Sequence, residues 1–534
     1  MRLPATRDPL DARFSLKHAL ITVSAWDEII VGAGAAGSVL AGRLSTDHAR
    51  RVLLIEAGPD YPDPQALPSD LRLARAMSFV DHDWDLVADA GEGRPISYPR
   101  GKVVGGSSAV NATVALRGMP HDYDDWERTG CAGWAWTDVL PYFRKLETDA
   151  DFADSELHGS SGPVYIRRLR RSEWSASVRA FFDTCRTLGY DEVTDHNDPR
   201  QSGVGPLPLN QRDGVRQSAA LCYLAPARGR PNLSILPNAL AVRVLFESRR
   251  AVGVEVLRDG RVERFEGARI TLSAGAIHTP GILFRSGIGP AAELRALGID
   301  VVADRPGVGQ NLSDHPSVGI PCVPRPGGID PERPHFQVYA RYTASGSAEP
   351  NDMQLGITAH FDLRPRSAYL VDLVGTPTPL LVFAQLERVR SRGRLILSNT
   401  DALAPPGIVL EYAQDPEDLR RLLDGMRRAW QVATSEPLAP FIERISILSQ
   451  SIVDDDDQLA GVVKLFSQSG FHPVGTAKMG PPADTMAVVD ERLRVHGIEG
   501  LCVVDASVMP GVPSANTNLP TMMIAERAAE LMRS

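Results

Sequence analysis

Residues 27–31 form a short apolar run that leads directly into Gly32-Ala33-Gly34-Ala35-Ala36-Gly37, and few folds accommodate that order. Residues 38–44 continue as a small-residue helix, and residues 51–56 supply a second apolar strand that closes on Ala57-Gly58-Pro59. Strand, glycine turn, helix and strand within about thirty residues make a complete βαβ unit. The first glycine permits the tight turn, the second admits backbone to a pyrophosphate, and the third lets helix and strand pack closely. Free N–H groups at the helix start face the phosphates. Glu56, 19 residues beyond Gly37, stands where an acid accepts from ribose hydroxyls. The spacing predicts a dinucleotide site and leaves NAD and FAD unseparated.

Composition narrows the remaining classes. The 534 residues are 43% hydrophobic and 23% charged, with a formal charge of −9 and no basic stripe, which argues against a nucleic-acid binder. No run approaches the length of a membrane span, so a soluble chain is expected. Five scattered cysteines, odd in number and never in CxxC spacing, exclude a disulfide framework or zinc site and fit a reducing, cytoplasmic setting. Aspartates 454–457 read as a solvated loop, and no metal site is expected. Residues 1–25 hold too short an apolar stretch for a secretory signal and are expected to be a disordered extension, or the product of a misassigned start.

Farther along, residues 239–246 and 251–257 predict an antiparallel pair turning near Arg249, and 269–273 another strand. Residues 321–350, rich in Pro, Gly and charge, predict a domain crossing or an active-site loop. Residues 416–432 have helical spacing, with Leu419, Leu422, Leu423, Met426 and Trp430 on one face. A strand at 501–505 and a helix at 519–532 return to the opening pattern, so one domain is assembled from separated pieces.

Three further clusters carry chemistry. Tyr98-Pro99-Arg100-Gly101-Lys102-Val103-Val104-Gly105-Gly106-Ser107-Ser108-Ala109-Val110-Asn111 can press its backbone against a flat ring or phosphates. Gly275-Ala276-Ile277-His278-Thr279-Pro280, Ser286-Gly287-Ile288-Gly289 and residues 307–316 make a second group. Phe471-His472-Pro473-Val474-Gly475-Thr476, residues 504–510 and Ser514-Ala515-Asn516-Thr517-Asn518 make the third. Read bare, His472 could be a structural hydrogen-bonding residue, and Asn516 or Asn518 a helix cap.

Together, from about residue 26 onward, these blocks resemble the glucose–methanol–choline (GMC) oxidoreductases, and bacterial alcohol, hydroxymethylfurfural and choline oxidoreductases are similar in plan. The resemblance implies an α/β fold. A Rossmann-like FAD-binding domain would comprise residues 26–165, 203–315 and 480–534. A β-sheet-plus-helices substrate domain would comprise 166–202 and 316–479. It makes His472 and Asn516 the catalytic pair. His472 would take the alcohol proton while hydride leaves carbon for flavin N5, and Asn516 would donate to the same oxygen. It assigns Gly32, Ala33, Gly34, Ala35, Ala36, Gly37, Glu56, Val103, Gly105, Gly106, Ser107, Asn111, Ala112, Val114, Ala241, Asp505, Ala506 and Thr517 to the cofactor, and Phe471 to the substrate. Some members attach flavin through a histidine just before the motif asparagine; Val110 occupies that place here, so FAD is expected to be noncovalent. Ala477 stands where many relatives have cysteine. His278 and His315 are expected to hold structure, and Trp84, Trp126, Trp134 and Trp136 to pack a core or lid. The implied partners are a small alcohol and oxygen or another electron acceptor. Two rivals on the same fold are hydroxynitrile lyase chemistry and a noncatalytic flavoprotein.

Overall fold

A computed structural model describes residues 26–75, 77–364 and 368–533; the expectation for residues 1–25 lies outside the described residues. The opening βαβ unit forms as read. Strand Trp26–Val31 lies between strands Val52–Ile55 and Arg261–Leu272, parallel to both. Leu233–Leu236 extends the sheet on one side and Leu501–Val503 on the other, also in parallel. All four residues of Val52–Ile55 are buried, as continuous apolar strands under helical cover should be. The helix starts at Ala35, three residues earlier than the apolar pattern suggested, because small residues allow it to begin within the glycine turn. Arg261–Leu272 is longer than the predicted strand: its first half completes an antiparallel meander with Leu240–Glu247 and Arg250–Arg258.

The second layer is an antiparallel sheet in the order Ile442–Ile445, Pro316–Pro324, Leu380–Leu386, Met353–Ile357, Val338–Tyr342 and Gly203–Pro206. Helix Pro416–Ala433 covers one face of it. Gly425 lets that helix approach, since a Cβ there would come within 2.6 Å of Met353 Cε and 2.8 Å of Ala384 Cβ. Leu422 and Met426 are fully buried, whereas Leu419, Leu423 and Trp430 lie at its edge; Ala429, Val432 and the ion-paired Arg421 complete the inner face.

Two expectations are corrected. Gly203–Pro206 pairs with Val338–Tyr342, so the substrate layer continues past residue 202. Residues 394–409 leave that layer: Gly407–Val409 joins Val87–Asp89 in a separate four-stranded sheet, a link between pieces assigned to different domains. Residues 321–350 are likewise not one loop. They contain the end of one strand and all of another, because prolines at 321 and 324 sit where the ladder tolerates them.

Candidate functional site

One large cavity lies between the two layers, and the glycine turn forms one wall. Gly32 takes φ +98°, and a Cβ there would meet the Ser273 carbonyl at 2.5 Å, so only glycine closes this turn. Gly37 packs its Cα under the Gly32 carbonyl, which draws the helix against the strand. Opposite, Gly106 takes φ +51° and faces Gly34 so closely that a Cβ would lie 2.7 Å from the Gly34 Cα. Gly105 N–H donates to the Ala33 carbonyl at 2.7 Å and fixes the two turns to one another. Glu56, buried at the end of its strand, accepts from Ala33 N–H and Gly58 N–H, both at 2.9 Å. Burial raises its pKa to about 7 despite those hydrogen bonds.

Gly32, Gly34, Ala35, Ala36, Glu56, Gly106, Ser107, Asn111, Ala112, Val114, Ala241, Asp505, Ala506, Thr517, Phe471, His472 and Asn516 all line this cavity. Ala33, Gly37, Val103 and Gly105 stand behind it. Val103 packs with Leu71, Ala109 and Val110, so these four support the wall from behind. A buried arginine that no motif signalled, Arg216, pins the loop from inside. It donates to the carbonyls of Asp70, Leu71, Ala109 and Asn111. Asp505 accepts from Gly275 N–H, Thr279 Oγ1 and Ser507 N–H, and burial raises its carboxyl pKa. Paired glycines without Cβ atoms, exposed N–H groups at a helix start and a buried acid at the strand end fit a dinucleotide such as FAD.

Across the cavity, His472 Nε2 lies 2.9 Å from Asn516 Nδ2, and His472 Nδ1 lies 2.9 Å from His315 Nδ1. The remaining nitrogen of His315, Nε2, is 3.1 Å from the Glu387 carbonyl, which can only accept. His315 Nε2 therefore carries a proton, and with the Asn516 amide donating to His472 Nε2, the contact between the two rings takes its hydrogen from His472 Nδ1. His472 must then donate from Nδ1, which leaves its Nε2 as a lone pair receiving the Asn516 amide. The chain of contacts selects one tautomer of His472, with its basic nitrogen at the cavity wall. Burial, the His315 ring and the Arg100 charge together push the His472 pKa well below the usual imidazole value.

Asp314 anchors this group. Its carboxylate accepts the backbone N–H groups of His315 and His472 and the hydroxyls of Tyr98, Tyr412 and Ser469. Asn516 is seated through its neighbour Ser514, whose N–H and hydroxyl bond to Asp122 and whose carbonyl accepts from Arg341. Neither motif asparagine caps the last helix with its side chain: the cap position is Thr517, and Asn518 is already helical.

His315, expected to hold structure, contacts His472 directly, because the sheet strand after it returns the chain to the loop that carries His472. His278 lines the cavity, its ring centroid 4.1 Å from that of Trp84, and burial lowers its pKa to about 3. Trp126 and Trp134 belong to the core, while Trp84 is a cavity wall. The aspartates at 454–457 are not a loop: Asp455 caps helix Asp456–Phe466, accepting from Asp457 and Gln458 N–H. Glu147, Asp149 and His158 lie close enough together to hold a metal, but Arg117 and Arg168 already face these carboxylates as their cations.

Comparison with known proteins follows the same lines. Residues 26–317 and 389–525 match the family description GMC oxidoreductase. The 5-(hydroxymethyl)furfural oxidase of Methylovorus sp. (strain MP688) is 37% identical over 538 positions, covering 96% of this chain and 99% of the relative. Oxygen-dependent choline dehydrogenase of Brucella anthropi is 34% identical, covering 94% and 95%. The solved structure of pyridoxine 4-oxidase from Mesorbium loti is similar with a TM-score of 0.85 at 31% identity, covering 95% of this chain and 98% of that one.

Proposed function

Since the chain belongs to the GMC oxidoreductases, a family whose typical cofactor is FAD and whose members act on CH–OH groups, we propose that it oxidises an alcohol to an aldehyde or ketone, with His472 as base. The observation that carries this reading is the His315–His472–Asn516 chain, which leaves His472 Nε2 as a lone pair beside a glycine-built cradle. An alcohol entering the cavity displaces the Asn516 amide from that single lone pair and gives its hydroxyl proton to the nitrogen. The second Asn516 amide hydrogen steadies the oxygen as it gains negative charge. The proton then rests on His472 while Nδ1–H continues to donate to His315, so protonation requires no change in that contact. FAD, when bound against the cradle, supplies the hydride acceptor and hands the electrons to oxygen or another acceptor.

Glu56, Gly34, Gly106, Asp505 and Thr517 are the residues that would hold it. Val110 at the cavity wall offers no nucleophile, so the flavin is held without a covalent bond, and unfolding releases it into solution.

The test is flavin absorbance after anaerobic mixing with a panel of aryl, furan, aliphatic and choline-like alcohols, followed by air. Bleaching by an alcohol is expected, with recolouring in air if oxygen is the acceptor. The His472→Ala variant should keep FAD and lose about 10²–10⁴-fold in the reduction rate. A flavin that no alcohol bleaches points to lyase chemistry, and near-normal reduction in the variant removes His472 as the base.

A further inference from the structure

The half of the cavity in front of His472 and Asn516 is walled by one face of the antiparallel sheet. Across that face the register places Gly319, Phe383, Gly356 and Tyr339 side by side on four adjacent strands. Glycine at 356 is what lets the Phe383 ring lie down: a Cβ there would overlap its Cζ. Phe336, Tyr339 and Phe383 then meet one another with ring centroids 5.4–5.7 Å apart, a continuous aromatic floor. Gly319, on the other side of Phe383, leaves a methyl-sized notch, since a Cβ there would rest in ordinary contact with Leu381 Cδ2 at 3.7 Å and Phe383 Cβ at 3.8 Å. One step along the strands toward His472 the wall turns polar, with Ser317 and Gln385 paired; one step away it is Pro321 and Leu381.

Charge is distributed as unevenly as polarity. Among the described residues, the acids that line the cavity are Glu56 and Asp505, both on the cradle side and both bonded to backbone N–H groups. Among the described residues none that lines the aromatic floor is a carboxylate; Glu387 stands behind it, accepting from Gln385 Nε2 at 2.7 Å. A cation also stands near His472: Arg100 donates to the Phe471 carbonyl at 2.8 Å while its Nε and Nη2 are buried with no protein acceptor. Its charge is already felt at His472.

Resting on the alcohol-oxidising reading above, we propose that this chamber takes a primary alcohol on an uncharged aromatic or bulky apolar body and rejects quaternary-ammonium alcohols. An apolar body is desolvated onto the aromatic floor without an electrostatic penalty. A cation there would lose its water shell with no carboxylate to replace it, and with an unneutralised guanidinium across the chamber. Attraction to the ring faces of Phe383 and Tyr339 is the weaker effect, because a full like charge opposes it. A terminal hydroxymethyl reaches His472 past the polar ring of Ser317 and Gln385, while the body covers Phe383 and fills the notch at Gly319.

The experiment separates this claim from the redox one by measuring binding alone. The purified FAD-loaded protein is titrated with benzamide and with tetramethylammonium chloride, neither of which can be oxidised, at constant ionic strength. The flavin spectrum reports occupancy. Benzamide is expected to perturb it at concentrations about 100-fold below any effect of tetramethylammonium, and Phe383→Ala to weaken benzamide binding about tenfold with FAD content unchanged. Tetramethylammonium binding as tightly as benzamide overturns the proposal, and so does the absence of any benzamide effect. The alcohol panel then stands as a separate test: bleaching by choline in preference to benzyl alcohol overturns the substrate class while leaving alcohol oxidation intact. Failure of every alcohol to bleach, with benzamide still binding, removes the redox reading and leaves the recognition in place.

Discussion

His472 sits between an imidazole lone pair, an amide and a guanidinium field, and burial and that positive field both oppose its protonation. Because its pKa is depressed, the neutral, proton-accepting form persists at and below neutral pH. The acid limb of the flavin-reduction rate should therefore lie below pH ~6.5, the value for a free imidazole. Replacing Arg100 by Met removes one of the three causes and should move that limb upward, as read from reduction rates between pH 4 and 8. A limb that does not move in the variant would show that Arg100 lies outside the electrostatics of the base. The motif FHPVG and the later Asn516 were enough to nominate the pair from sequence. The link to His315 was not legible, because 157 residues separate the two rings and the contact exists only when Pro316–Ser317 pairs with Gln468–Ser469. Arg100 was visible as a residue in a motif, but its reach to the Phe471 carbonyl was not.

At the scale of elements, the turn joining the first strand to its helix was readable because its glycines answer to steric demands, and those demands are local. The close approach of Gly34 and Gly106 has the same cause but joins two turns far apart in sequence, and two glycine motifs do not announce that they face each other. A methyl group at position 106 would strike backbone, which cannot move aside as a side chain could, and φ is positive there. Gly106→Ala should fold yet purify with FAD largely lost, as measured by the ratio of visible to ultraviolet absorbance; full flavin content would refute the proposed cradle. The sheet opposite was harder to read. Its strands carry prolines and glycines that in isolation signal loops, and the irregularity of residues 321–350 hid the end of one strand and the whole of another.

For the molecule as a whole, stability toward pH should be governed by the buried ionic cluster of Arg117, Glu147, Asp149, His158, Arg168 and Asp195. Burial works against a charged His158, but hydrogen bonds to Asp149, Asp195 and Glu147 outweigh it and raise its pKa to about 10. Burial likewise works against Asp149 ionisation, and His158 and Arg168 outweigh it and lower its pKa to about 2. The raised group contributes stability that is complete below its unfolded pKa of ~6.5 and is lost as pH rises through about 10. The lowered group contributes stability present above its unfolded value of ~3.9 and lost as pH falls through about 2. The contribution of this cluster should therefore be fullest between about pH 4 and 6.5 and fall toward pH 10, an alkaline decline in melting temperature that His158→Gln should flatten. An alkaline slope identical in the variant would assign it to other groups.

The seat of Asn516 has a consequence for how such a chain comes into being. Asn516 is held through Ser514 by Asp122 and Arg341, while His472 is held by Asp314, so the two halves of the pair have separate mounts. The last strand of the parallel sheet, Leu501–Val503, and Asn516 both follow His472 and the whole aromatic floor in the chain. A growing chain thus displays most of a nucleotide cradle and a complete aromatic chamber before it possesses a working centre. Reactivity is thus conferred by the last of these pieces rather than accumulated along the chain, and a chain that stops before residue 516 lacks half of the pair.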